Sequence, residues 1–79
     1  MSPECFQIDL ADNVATLLQD APEATDLAIR GDASTPSVRT LEPIRAEHKV
    51  AVADIAAGQP ILKYGFAIGV ATQPIAPGQ

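Results

Sequence analysis

The sequence predicts an all-β or nearly all-β domain of short strands, and three observations predict it. A short phrase recurs: Ile55-Ala56-Ala57-Gly58-Gln59 returns as Ile75-Ala76-Pro77-Gly78-Gln79. Weaker copies in the same register are Ile44-Arg45-Ala46-Glu47-His48 and Ala21-Pro22-Glu23-Ala24-Thr25. Each copy has an apolar anchor, a turn, and a position suited to glycine, which accepts a positive φ that other residues resist. Asp54, at the head of the best copy, is expected to accept a backbone hydrogen bond and open the turn. The copies therefore read as corners, each one cycle of 3₁₀ helix feeding a strand. Their unequal spacing excludes a solenoid. The other two observations are short apolar runs punctuated by Gly and Pro, and the lack of any long amphipathic helical pattern.

Taken in order, Phe6, Ile8 and Leu10 alternate with Gln7, Asp9 and Ala11, the period-two pattern of a half-buried strand. Asp12-Asn13 signals a turn. Val14 to Leu18 suits either a strand or a helical turn, for which Asp12 would be the N-cap. Asp20-Ala21-Pro22-Glu23 forms the first corner, Leu27 to Ile29 a short strand, and Gly31 to Ser37 a polar loop. Val38 to Leu41 is extended, and Pro43 opens the second corner. Lys49 to Ala53 is a strand with Val50 and Val52 on one face. Pro60 to Lys63 and Phe66 to Ala71 pair as a tight hairpin or bulged bend through Tyr64-Gly65.

The 79 residues make a single domain whose core is thin for independent stability. It has no Trp, one Tyr and two Phe. A single cysteine, Cys5, excludes an internal disulfide and a cysteine-rich zinc site. A partner or an oligomer is the remaining source of extra stability. Residues 1–44 carry a net −6 and residues 45–79 a net +1. Such a chain lacks the basic cluster that nucleic acid requires, although its second half suits a small anion. The opening residues lack the basic and apolar regions of a signal peptide, and the uncharged run from Tyr64 to Gln79 is too short and too interrupted to span a bilayer. The expectation is a soluble cytoplasmic domain with no membrane association. Arg30-Gly31-Asp32 is read as a chance adhesion tripeptide.

Residues 44–78 resemble the SAF domain of the altronate/galactarate dehydratase family. The resemblance rests on the His48-Lys49 pair, the Asp54-Ile55-Ala56-Ala57-Gly58 corner, Leu62-Lys63-Tyr64-Gly65, Ile68-Gly69-Val70-Ala71-Thr72 and the corner Ile75-Ala76-Pro77-Gly78. Asp12-Asn13-Val14-Ala15 extends it toward the start. The small subunit of a sulfolactate sulfo-lyase has a similar pattern. The family usually places Gly before the His, where this chain has Glu47, and continues past the last corner with a histidine-rich segment.

The resemblance implies a mostly β, β-clip fold and a small subunit or accessory domain of a sugar-acid dehydratase. A larger catalytic partner would hold a divalent metal, expected to be iron, and this chain would contribute contacts to a small carboxylated sugar. Dehydration requires removal of a proton α to a carboxylate and departure of a β-hydroxyl, which calls for an acid/base and for charge on the carboxylate. His48, the only imidazole, is the candidate acid/base; the alternative is a surface or hydrogen-bonded structural histidine. Lys63, Tyr64 and Gly65 are the stronger substrate-binding candidates, an ammonium and a phenol beside a glycine bend. Tyr64 reads equally as a core-edge aromatic. Lys49 is a weaker candidate that also reads as a solvent-facing lysine. Asp12 and Asn13 position substrate or cap a turn. No set of residues supplies the ligands of a metal site. A non-catalytic module that binds carboxylated sugars or organises an oligomer is the alternative function.

Overall fold

In a computed structural model, which describes residues 3–79, the chain forms seven strands and, among those residues, no helix. The strands are β1 (Glu4–Gln7), β2 (Val14–Leu17), β3 (Asp26–Gly31), β4 (Ser37–Arg39), β5 (Lys49–Ala51), β6 (Pro60–Lys63) and β7 (Phe66–Val70). The first five make one sheet in the order β4-β3-β1-β2-β5, and β6 and β7 form a separate ribbon. Within the sheet only β1 and β3 run parallel; Cys5 pairs with Ile29 on one side and with Leu17 on the other. The mostly β expectation holds. The segment from Val14 that suited either state is strand β2.

Alternation along β2 and β5 divides the interior into two clusters. Ala15, Leu17 and Val50 join Cys5, Ala21, Leu27, Ile29, Val38 and Ile44, with Val52 packed alongside. Val14 and Ala51 point the other way and meet Ile55 and Ala71, with Ile61 and Ile75 alongside. Val50 and Val52 thus share a face, as their alternation predicts.

The four repeats are the corners that close these clusters. Ala21 and Ile44 form one antiparallel bridge, Ile55 and Ile75 another, each through two amide–carbonyl bonds of 2.8–2.9 Å. One bridge therefore belongs to each cluster, and the anchor residue of every copy is its buried or half-buried contribution. The fourth residue of each copy has positive φ: Ala24 at 57°, Glu47 at 72°, Gly58 at 86° and Gly78 at 97°. The amides of His48, Gln59 and Gln79 donate to the carbonyls three residues back. This is the type II turn pattern, so the corners are tight turns in place of the expected 3₁₀ cycles. The bond expected of Asp54 is supplied from the other end of the turn. Gln59 Oε1 accepts the Ala56 amide at 2.8 Å, and Gln79 Oε1 accepts that of Ala76 at 2.7 Å.

The first corner closes differently. The Thr25 amide donates to Thr40 Oγ1 at 2.9 Å, and that hydroxyl donates to the Pro22 carbonyl at 2.7 Å. A buried side chain from the end of β4 thereby replaces the missing turn bond.

The inward face of β1 is a correction. Phe6, Ile8 and Leu10 are exposed, while Cys5 and Gln7 are buried. Cys5 is held between Leu17 and Ile29, which sets the pleat, and the Gln7 amide donates to the carbonyls of Asp9 and Asp12. A buried glutamine with satisfied donors is tolerated where an unpaired one is not. The strand also ends at Gln7, because Asp9 to Asp12 forms a turn closed by an Asp12 amide to Asp9 carbonyl bond of 3.0 Å. Arg30 of the adhesion-like tripeptide is paired with Glu4.

Candidate functional site

The β6–β7 ribbon leaves the sheet as a two-residue hairpin. Tyr64 and Gly65 have φ of 57° and 77°, the paired positive values of a type I′ loop, which suits the right-handed strand twist. A bulge interrupts the ribbon: Leu62 pairs with Ala67 and Ile61 with Gly69, leaving Ile68 as the extra residue. Both alternatives for this segment, tight hairpin and bulged strand, are therefore present together.

Asp12 and Asn13 hold this ribbon against the main sheet. The Asp12 carboxylate is buried and accepts the amides of Tyr64 (2.8 Å) and Gly65 (2.7 Å), and also that of Asp9 (3.2 Å). Asn13 Oδ1 accepts the Leu62 amide at 2.8 Å, and its Nδ2 donates to the Pro60 carbonyl at 2.9 Å. The side chain of Asn13 pairs with β6 much as a strand backbone would. The bonds that the two residues make go to the chain itself, and their effect is to fix the hairpin tip.

The tip presents Lys63, half-buried, and Tyr64, which is half-exposed. Lys63 Nζ lies 4.7 Å from the centroid of the Tyr64 ring, a cation–π pairing that orients both groups. A side chain at Gly65 would be strained by its φ of 77°, while the Asp9 carboxylate that a Cβ would meet at 2.9 Å is the end of a side chain that can turn aside.

His48 is exposed and lies at the other end of β2. Its carbonyl accepts the Leu17 amide, whereas the Tyr64 amide bonds to Asp12 before the strand begins. At roughly 3.4 Å per residue the length of β2 alone sets about 10 Å between them. The fold thus brings together Asp12, Asn13, Lys63, Tyr64 and Gly65, and leaves His48 apart.

Lys49 has a third environment. It stands at the rim of a trough of about 390 Å³ between the sheet and the ribbon, whose walls are Val14, Ala51, Ile61, Ile68 and Ile75, with Gln79 also on the rim. Nothing in the sequence pattern marked this trough, because its walls come from segments far apart in the chain.

No group of three or more His, Cys, Asp or Glu side chains converges as a metal site among the described residues. The donors present among them do not fit a divalent metal. None of the described residues forms a helix long and apolar enough to cross a membrane.

This arrangement of paired corners and clamped hairpin belongs to a known class. Residues 3–79 match the altronate/galactarate dehydratase SAF domain, and the chain belongs to that family. Within it, the chain is 39% identical over 73 residues to the altronate dehydratase of Escherichia coli strain K12, a match that covers 92% of this chain. The match spans 14% of that relative, which is therefore a much larger protein containing this domain as one part.

Proposed function

We propose that this chain serves a sugar-acid dehydratase of the altronate/galactarate type as its small subunit or accessory domain. A larger catalytic body completes the site and holds the divalent metal, expected to be iron. The observation that carries the reading is the clamped tip: a buried carboxylate fixes two consecutive amides, so that an ammonium and a phenol stand beside a glycine at a defined place. Family membership and the position of this domain as a small part of a larger relative support it.

In this reading Lys63 attracts the carboxylate of a hydroxy acid as a point charge, and the Tyr64 hydroxyl hydrogen-bonds the acid or one of its hydroxyls. Gly65 supports the tip by supplying the positive φ that the loop requires. Asp12 and Asn13 are positioning residues that act through the hairpin. His48 would take part in acid/base chemistry only in a site that reaches past the far end of β2. Lys49 stands on a trough whose lining is mostly apolar, and in this reading it is a weaker substrate contact than Lys63.

Reconstitution with the large dehydratase polypeptide of the same organism, in the presence of divalent metal, tests the proposal. The chain alone should be inactive and the mixture should turn over a hydroxy acid. Lys63→Ala should mainly raise KM, since the charge contributes to binding in ground and transition states alike. His48→Ala should lower kcat about a hundredfold if the imidazole moves a proton. Wild-type kinetics in the Lys63→Ala, Tyr64→Phe double variant would remove the tip from the site.

A further inference from the structure

The trough and the ribbon face beside it are too apolar for the ligand proposed above. Three isoleucines, Ile61, Ile68 and Ile75, line the trough, and Phe66 extends the apolar surface along the ribbon on the side that Lys63 shares. Phe66 is 74% and Ile68 49% exposed. Together with the trough they form one continuous apolar surface, and apolar groups clustered in this way, unlike singly scattered ones, point to a contact. Among the described residues, the charged side chain lining the trough is that of Lys49.

We propose that this face is where the domain docks on the catalytic body of its dehydratase, with an apolar side chain of the body in the trough and a carboxylate of the body opposite Lys49. The proposal rests on the functional reading above. Two observations choose this occupant. In the E. coli relative this domain makes up 14% of the protein, so a body several times larger accompanies it. A second copy fits poorly, because a two-fold contact centred on a concave trough sets hollow against hollow and brings the two Lys49 charges toward each other. The position of the face also accounts for the clamped tip. The trough and the Lys63–Tyr64 tip belong to the same ribbon, so docking through one carries the other to the edge of the body.

The test is binding of the chain to the large dehydratase polypeptide of the same organism, read by calorimetry, with the melting and sedimentation of the free chain followed in parallel. Wild type should bind. Phe66→Ser and Ile68→Asn should each weaken binding about tenfold or more, as loss of an apolar anchor does. Lys49→Glu should weaken it and Lys49→Arg should restore it. None of these exposed or rim substitutions should change the melting of the free chain. Phe66→Ser, at the more exposed position, keeps the test valid if Ile68→Asn is destabilised. Equal binding by wild type and variants overturns the docking face and leaves the dehydratase reading standing. Failure of wild type to bind overturns both. Self-association of the wild type that these substitutions abolish assigns the face to a second copy and overturns the proposal.

Discussion

The Asp12 carboxylate accepts the Gly65 amide at 2.7 Å across 53 positions of sequence. Together with the bond from Tyr64, it makes a buried side chain the anchor of an otherwise outlying hairpin. Hydrogen bonds to a charged group contribute about 1.5–3 kcal/mol each, and less in sum when they are coupled. Asp12→Ala should therefore destabilise the chain by about 2 kcal/mol or more. Amide exchange at Tyr64 and Gly65 should rise first, before global unfolding. Unchanged protection of those two amides in the variant would show that the clamp does not hold the tip.

Glu47 occupies the turn position that Gly58 and Gly78 occupy in the later copies, at a φ of 72°. A non-glycine residue there carries strain that glycine does not. Glu47→Gly should stabilise the chain by about 1 kcal/mol, seen as a higher urea midpoint with an unchanged slope. The family's glycine before the histidine has the same explanation, because a left-handed residue is required at that point of the turn.

The two glycines themselves should differ. A Cβ at Gly58 meets nothing within 4 Å, so Gly58→Ala should cost only the backbone strain, about 1 kcal/mol. A Cβ at Gly78 would lie 2.1 Å from the Arg39 carbonyl oxygen. Gly78→Ala should therefore cost clearly more, with β4 displaced. Equal midpoints for the two variants would contradict this contrast.

These positions also show what the sequence made legible. The last two corners and the hairpin were readable because each rests on a local glycine signal, Gly58, Gly78 and Gly65. The first two corners were fainter, since Ala24 and Glu47 adopt the same backbone without advertising it. The pleat of β1 was misread because hydrophobicity alone favoured Phe6 and Ile8, whereas Cys5 and a hydrogen-bonded Gln7 fill the interior. Asp12 and Asn13 were recognised as turn residues, but their partners lie 47 to 53 positions away. Their part in fixing the candidate tip follows from tertiary contact and leaves no local pattern.

Thr40 is the least readable of these residues, a buried hydroxyl that completes a turn 15 positions earlier. Thr40→Val keeps the shape and removes the oxygen that links the Thr25 amide to the Pro22 carbonyl. Leaving both groups without that partner should cost about 1–3 kcal/mol. Thr40→Ser should retain most of the stability. Denaturant unfolding of the pair separates the hydroxyl from the methyl: a serine variant as weak as the valine variant would assign the effect to packing.

Cys5 supplies a pH-dependent prediction. Burial pushes its thiol up to about 11 from an ordinary 9.0, because the thiolate would lose its hydration in the apolar interior. The folded state therefore holds the thiol proton more tightly than the unfolded chain does. The corresponding stability is complete below pH 9 and is lost as pH rises from about 9 to 11, beyond which both states are deprotonated. Other groups titrate in that range, so the useful measurement is the difference between wild type and Cys5→Ala. Wild type should lose urea resistance more steeply across that window, and its alkylation by iodoacetamide at pH 8 should proceed only as fast as the protein opens. Parallel pH profiles for the two proteins, or rapid alkylation of the native chain, would mean that Cys5 is not buried as a neutral thiol between Leu17 and Ile29.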